Sequence, residues 1–240
     1  MRTCGTAVTG PGPPGQAILI DIGGVLIPGY LPAAAAEWGA SLGISPQAFL
    51  AALFGGSDDQ ALTGRVSEPR WWAVVAGRLR ADPGLMAELQ QDLASRQVWD
   101  SALIAHLRGL RGRARTAIVS NAWPGTRARM SRAGMLDIAE EIVLSGEIGY
   151  AKPDPRIYTA ALRRLAVSPG RALFIDDTAG HVTAAESLGI AGHVHTSTCG
   201  TIARIEHFLQ PKPGNLPPAQ TRNRQRLDGA KLCSLTSATR

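Results

Sequence analysis

The chain has only three cysteines, Cys4, Cys199 and Cys233. They are odd in number and far apart. That excludes a disulfide framework and a clustered cysteine metal site, and it makes a reducing cytoplasm the simplest setting. No apolar run is long enough to cross a bilayer, so no membrane-spanning helix is expected. The first fifteen residues have no apolar core of the kind a signal peptide needs, and none is expected there. Internal repeats are also missing. A positive field is missing from the middle of the chain as well. The net charge is +6, yet Pro211–Arg240 carries five of those charges and Arg2 the sixth. Residues 17–210 are electroneutral, so they offer no electrostatic reason to bind nucleic acid.

What is present is organised around Ala17-Ile-Leu-Ile-Asp21-Ile-Gly23-Gly24-Val-Leu-Ile27. A short apolar, β-rich run reads as a buried parallel strand. The two glycines free the backbone just after it, for a tight turn or a close approach to a ligand. Asp21 then stands at the carboxyl end of a buried strand, where open α/β sheets put their ligands. An aspartate capping an ordinary turn would look the same on this stretch alone.

The remainder alternates. Residues 1–16 are rich in Gly and Pro and read as a disordered N-terminus. From residue 31 to residue 111 the pattern is helical, with Ser45-Pro46, Ser67-Glu68-Pro69 and Asp100 as start signals. Leu85, Met86, Leu89 and Leu93 repeat at helical spacing, and at least one of Trp71 and Trp72 belongs to a core. Strands follow at Arg115–Ser120, Glu141–Ser145, Arg171–Asp176 and Ala191–His195, separated by helices at Thr126–Ala133, Pro155–Leu165 and Ala179–Leu188. Gly189 closes the last of these helices. Such alternation predicts an α/β doubly wound parallel sheet with helices on both faces. The run of breakers after Gln210 reads as a flexible basic tail, residues 211–240.

Polar residues gather at the predicted carboxyl ends of the strands: Asp21, then Ser120-Asn121, then Lys152-Pro-Asp-Pro155, then Asp176-Asp177. A parallel sheet brings them into one site. Carboxylates at that density repel unless a hard cation such as Mg²⁺ joins them. Mg²⁺ among carboxylates favours phosphoryl chemistry.

These residues are similar to the motifs of the haloacid dehalogenase-like hydrolase superfamily, in particular its phosphatases with a helical cap. The resemblance runs from about Ala17 to Thr196. Its most specific part is Ser145-Gly-Glu-Ile-Gly-Tyr-Ala-Lys152-Pro-Asp-Pro-Arg-Ile-Tyr158, continued by Leu-Phe-Ile-Asp176-Asp177 and Ala184-Ala-Glu-Ser-Leu-Gly189. It implies a core made of residues 17–30 and 112–210 and an inserted helical cap, residues 31–111, that closes over the site. It implies that Asp21 is the nucleophile and is phosphorylated in turn. Ser120, helped by the Asn121 amide, would bind the transferring oxygens, and Lys152 would neutralise Asp21 and the phosphate. Mg²⁺ would be held by Asp21, Asp177, the Gly23 carbonyl and Asp176, the last directly or through water. The substrate would be a small phosphorylated metabolite, with Arg65 and Arg70 as cap residues that could face it. Neither substrate identity nor oligomeric state is written into these motifs.

Two positions depart from the family. A second aspartate, acid and then base, usually stands two residues after the nucleophile, and here that residue is Gly23. A frequent asparagine of the last motif is His181, which reads either as a local helix residue, the reading preferred here, or as a substitute polar group. Gly23 keeps two alternatives open: a metal-independent dehalogenase-type hydrolase, which needs no such acid, and a catalytically weak domain that binds phosphate or a partner. The acidic pair 176–177 argues for a metal. Phosphonate cleavage needs a cap lysine, and the only lysines are Lys152, Lys212 and Lys231.

Overall fold

The computed structural model describes residues 15–55, 58–123 and 125–210. The expectations for the disordered N-terminus and the basic tail fall, but for its last two residues, outside them. Five strands form one parallel sheet, β1 (Ala17–Ile20), β2 (Arg115–Ser120), β3 (Glu141–Leu144), β4 (Ala172–Asp176) and β5 (Ala191–Val194). Their spatial order is β3-β2-β1-β4-β5. The chain therefore winds outward from β1 in one direction, returns, and winds outward in the other. The direction reverses between β1 and β4, the place where open α/β sheets leave a crevice.

Residue alternation explains the two layers. Ile18 and Ile20 of β1 join Ile118, Ile142, Leu173 and Ile175 in one buried cluster. Ala17 and Leu19 join Ala117, Val119, Val143 and Phe174 in another. Both faces of β1, β2, β3 and β4 are covered, so these strands read as nearly continuous apolar runs, while β5 at the edge is only half-buried. Helices α9 (Pro155–Leu165) and α10 (Ala179–Glu186) cover the second face. Helices α7 (Thr126–Arg132) and α11 (Thr198–Leu209) cover the first.

The segment between β1 and β2 holds six helices. The first five are α1 (Leu31–Leu42), α2 (Pro46–Phe54), α3 (Asp58–Leu62), α4 (Glu68–Leu79) and α5 (Pro83–Ser95). They build a cluster of their own around Phe49, Leu53, Trp71, Val75, Met86, Leu89 and Leu93. Of the tryptophan pair, Trp71 is the buried one. The sixth, α6 (Ser101–Arg108), was expected to belong with them. Instead Leu103, Ile104 and Leu107 pack with the sheet residues Ile18 and Ile20.

The caps mostly agree with the start signals. Ser45 Oγ accepts from Ala48 N–H at 3.1 Å, and Asp100 Oδ1 accepts from Leu103 N–H at 2.9 Å. Ser67 precedes α4 but its side chain makes no capping bond. Ser145, expected to end a strand, opens the short helix α8 (Ser145–Ile148) and is fully buried.

Candidate active site

Ile20 pairs with Ile175 across β1 and β4, so the next residues, Asp21 and Asp176, come out side by side. The Asp21 N–H donates to the Ile175 carbonyl at 3.0 Å, which carries the pairing one residue beyond the strand. Adjacent strands run about 4.8 Å apart, so the two carboxylates have no means of avoiding each other. Carboxylate oxygens of Asp21, Asp176 and Asp177 all lie within 4.8 Å of one another. Asp21 and Asp176 are buried and Asp177 is exposed.

Lys152 enters this cluster from the turn between α8 and α9. It is 3 % exposed. Its Nζ donates to Asp176 Oδ2 at 2.6 Å and lies 2.9 Å from Asp21 Oδ1. The second contact is an ion pair without hydrogen-bond alignment, so Asp21 Oδ1 is buried and accepts no hydrogen bond. Burial pushes the Asp21 carboxyl above its ordinary value; Lys152 pulls it down and Asp176 adds to the rise. The neighbouring carboxyl responds differently. Burial alone would raise Asp176, but His181, Lys152 and the Thr178 N–H hold it below its ordinary value.

Three carboxylates against one ammonium leave an excess of negative charge around a buried oxygen that accepts no hydrogen bond. This donor set suits a hard cation with oxygen preference. Asp21 and Asp177 are the freer ligands. Asp176 Oδ1 already accepts from the Thr178 N–H at 2.8 Å and Oδ2 from Lys152, and His181 Nδ1 lies 3.1 and 3.2 Å from the two oxygens. A carboxylate only accepts, so His181 carries its proton on Nδ1. Of the two readings of His181, the preferred local one gives way to the polar one, since its ring bonds the Asp176 carboxylate. Its carbonyl also accepts from Tyr158 Oη at 2.8 Å.

Ser120 is buried at the end of β2, close enough to Asp21 to favour its ionised form. Asn121 bonds the protein itself. Its Oδ1 accepts from the Lys152 N–H at 2.7 Å and its Nδ2 donates to the Lys152 carbonyl at 2.9 Å. Each end of the amide thus holds one hydrogen bond to the Lys152 backbone. Arg65 and Arg70 are exposed.

The two glycines differ. Gly23 is exposed, and a Cβ built on it meets nothing within 4 Å. Gly24 has φ +73°, and a Cβ there would lie 1.9 Å from Asp177 Oδ2. Gly24 is thus what lets Asp177 approach the turn after β1.

The family model for haloacid dehalogenase-like hydrolases matches residues 16–189, which contain all these groups. The chain belongs to this family. Within it, the chain is 28% identical over 217 residues to bifunctional epoxide hydrolase 2 of Sus scrofa, covering 80% of this chain and 38% of that one. It is 32% identical over 115 residues to a pyrimidine 5′-nucleotidase of Escherichia coli, covering 43% of this chain and 48% of that one. The chain thus spans less than half the length of either relative. A haloacid dehalogenase-like enzyme of Bacteroides thetaiotaomicron, solved with magnesium and inorganic phosphate, superposes with TM-score 0.60 at 20% identity, over 75% of this chain and 94% of that one. At that identity the superposition speaks for the fold.

Sequence reasoning gave no role to one residue that leaves the end of β2. Trp123, three residues after Ser120, leaves the sheet and packs among helices α2 and α4. Its ring centroid lies 4.6 Å from Trp71 and 6.1 Å from Phe54. Nearby, Arg129 donates to Glu68 at 2.6 Å. Aromatic pairing at this range is attractive beyond its burial. The signal was an apolar ring next to a polar strand end, which has no partner in the adjacent sequence.

Proposed function

We propose that the protein is a Mg²⁺-dependent phosphatase that hydrolyses a small phosphorylated metabolite through a phosphorylated Asp21. The observation that supports it is the convergence of Asp21, Asp176 and Asp177 on one another, with the buried Lys152 ammonium against the first two. In the first step an Asp21 oxygen attacks phosphorus and the bond from phosphorus to the leaving oxygen breaks. Lys152 offsets charge on Asp21 and the transferring group, and the Ser120 hydroxyl donates to its oxygens. In the second step water attacks phosphorus, the bond to Asp21 breaks, and inorganic phosphate leaves with the carboxylate restored. Mg²⁺, held by Asp21 and Asp177 with the Gly23 carbonyl and Asp176 at the margin, would supply charge neutralisation. Helices α1–α5 are proposed as the cap that shields the site and selects the substrate.

A phosphatase panel with and without EDTA tests this reading. Metal-dependent phosphate release is the expected result. Halide release from 2-haloacids without metal would assign the chain to the dehalogenase chemistry that Gly23 permits. Silence in both assays, with phosphate still bound, would make it a binding domain.

Asp177→Ala is expected to weaken Mg²⁺ binding strongly while costing little stability without metal, because one repelling carboxylate is gone. Equal Mg²⁺ affinity of both proteins by calorimetry would remove Asp177 from the ligand set.

Gly23 shapes substrate preference. An alkoxide needs a proton as it leaves, and a positioned acid contributes roughly 10²–10⁴-fold. Aryl and acyl phosphates need that help least. The wild type is expected to show a steep dependence of rate on leaving-group pKa. Gly23→Asp is expected to raise turnover of alkyl phosphates more than of aryl ones, since a side chain there meets nothing within 4 Å. A flat dependence across a graded ester series would mean that another residue already donates the proton.

A further inference from the structure

We propose that Asn121 is a positioning residue whose partner is Lys152. Lys152 lies in the turn between α8 and α9, outside the strands and helices. Its N–H and carbonyl therefore make no sheet or helix bond. Asn121 takes both, the N–H on Oδ1 at 2.7 Å and the carbonyl on Nδ2 at 2.9 Å, across 31 positions of sequence. The pairing itself fixes the amide's orientation, because only Oδ1 can accept and only Nδ2 can donate. Asn121 directly follows β2, which is paired on both sides, to β1 and to β3. The clamp thus joins a turn to the stiffest part of the sheet.

The consequence falls on the ammonium. A lysine side chain has four rotatable bonds and would otherwise spread its charge over a wide volume. Here it must land between two carboxylates that converge on one point, within 2.6 Å of one and 2.9 Å of the other. Fixing both polar groups of its own peptide units removes the backbone freedom that would blur that placement. The neighbouring residue adds a separate tie, since the Ala122 N–H donates to the buried Ser145 Oγ at 2.9 Å. That bond anchors the loop without touching Lys152, and so it serves as a control. The part Lys152 plays in turnover rests on the proposed function; the clamp does not.

The composition offers a direct test. Lys152, Lys212 and Lys231 are the only lysines, so reductive methylation read by mass spectrometry reports on Lys152 against two internal references. In the wild type Lys152 is expected to be protected. In Asn121→Ala its modification rate should rise about 10-fold or more, as local opening of the turn becomes easier. Asn121→Asp keeps the acceptor and loses the donor, so an intermediate rate is expected, and it decides the matter if the alanine variant does not fold. Ser145→Ala should leave Lys152 protected. Wild-type protection in both Asn121 variants would overturn the proposal, and so would equal loss of protection in Ser145→Ala, since the loop would then be loosening as a whole. If protection falls as expected while no variant and no wild type releases phosphate, the clamp stands and the proposed activity fails.

Discussion

Asp21→Asn is expected to abolish phosphate release while the protein keeps its fold. The change is nearly isosteric and leaves an amide oxygen that cannot attack phosphorus. Removing a hydrolase's nucleophile can cost roughly 10⁶-fold in turnover, and a loss of that order is expected here. Stability should change little, because two effects oppose. Lys152 loses one of its two carboxylate partners, at 2.9 Å, but keeps Asp176 at 2.6 Å. Asp176 in turn loses a like charge beside it. Phosphate release within a few-fold of wild type, on a protein of unchanged melting temperature, would take Asp21 out of the chemistry.

Gly24→Ala is expected to be almost as damaging, by another route. A single methyl group at Gly24 would sit 1.9 Å from Asp177 Oδ2, on a backbone with φ +73°. The carboxylate must move away, and the left-handed backbone adds about 1–2 kcal/mol of strain. Mg²⁺ affinity should therefore fall towards that of Asp177→Ala, and the melting temperature should drop, which Asp177→Ala alone should not cause. The neighbouring change, Gly23→Asp, should do neither. Wild-type Mg²⁺ affinity in Gly24→Ala, measured by calorimetry on folded protein, would mean that Asp177 holds no metal from its present position.

The contrast between these glycines shows where sequence reading stops. Two adjacent glycines after a buried strand signalled a free backbone and a ligand nearby. Which of them needed to be glycine depended on Asp177, more than 150 positions away. Asn121 and His181 make the same point. The resemblance implied a phosphate-binding role for the first, and the preferred reading of the second was a local helix residue. Each turned out to bond a residue on another element: Asn121 the Lys152 backbone, His181 the Asp176 carboxylate. The expected cap, residues 31–111, includes α6, because an apolar stripe shows that a helix is buried and not what it is buried against.

By itself the sequence determined the parallel sheet, most strand ends (Ser145, which opens α8, excepted) and the carboxylates that meet there. Runs such as Ala17–Ile20 and Ala172–Ile175 are apolar on both faces, which only a strand covered on both sides can use. The polar residue at the end of each run then has to lie at the sheet's edge. Only the tertiary structure decided which carboxylates Lys152 meets, which backbone groups Asn121 holds and which glycine is indispensable. Those are distances between side chains far apart in the chain, set by how the layers pack.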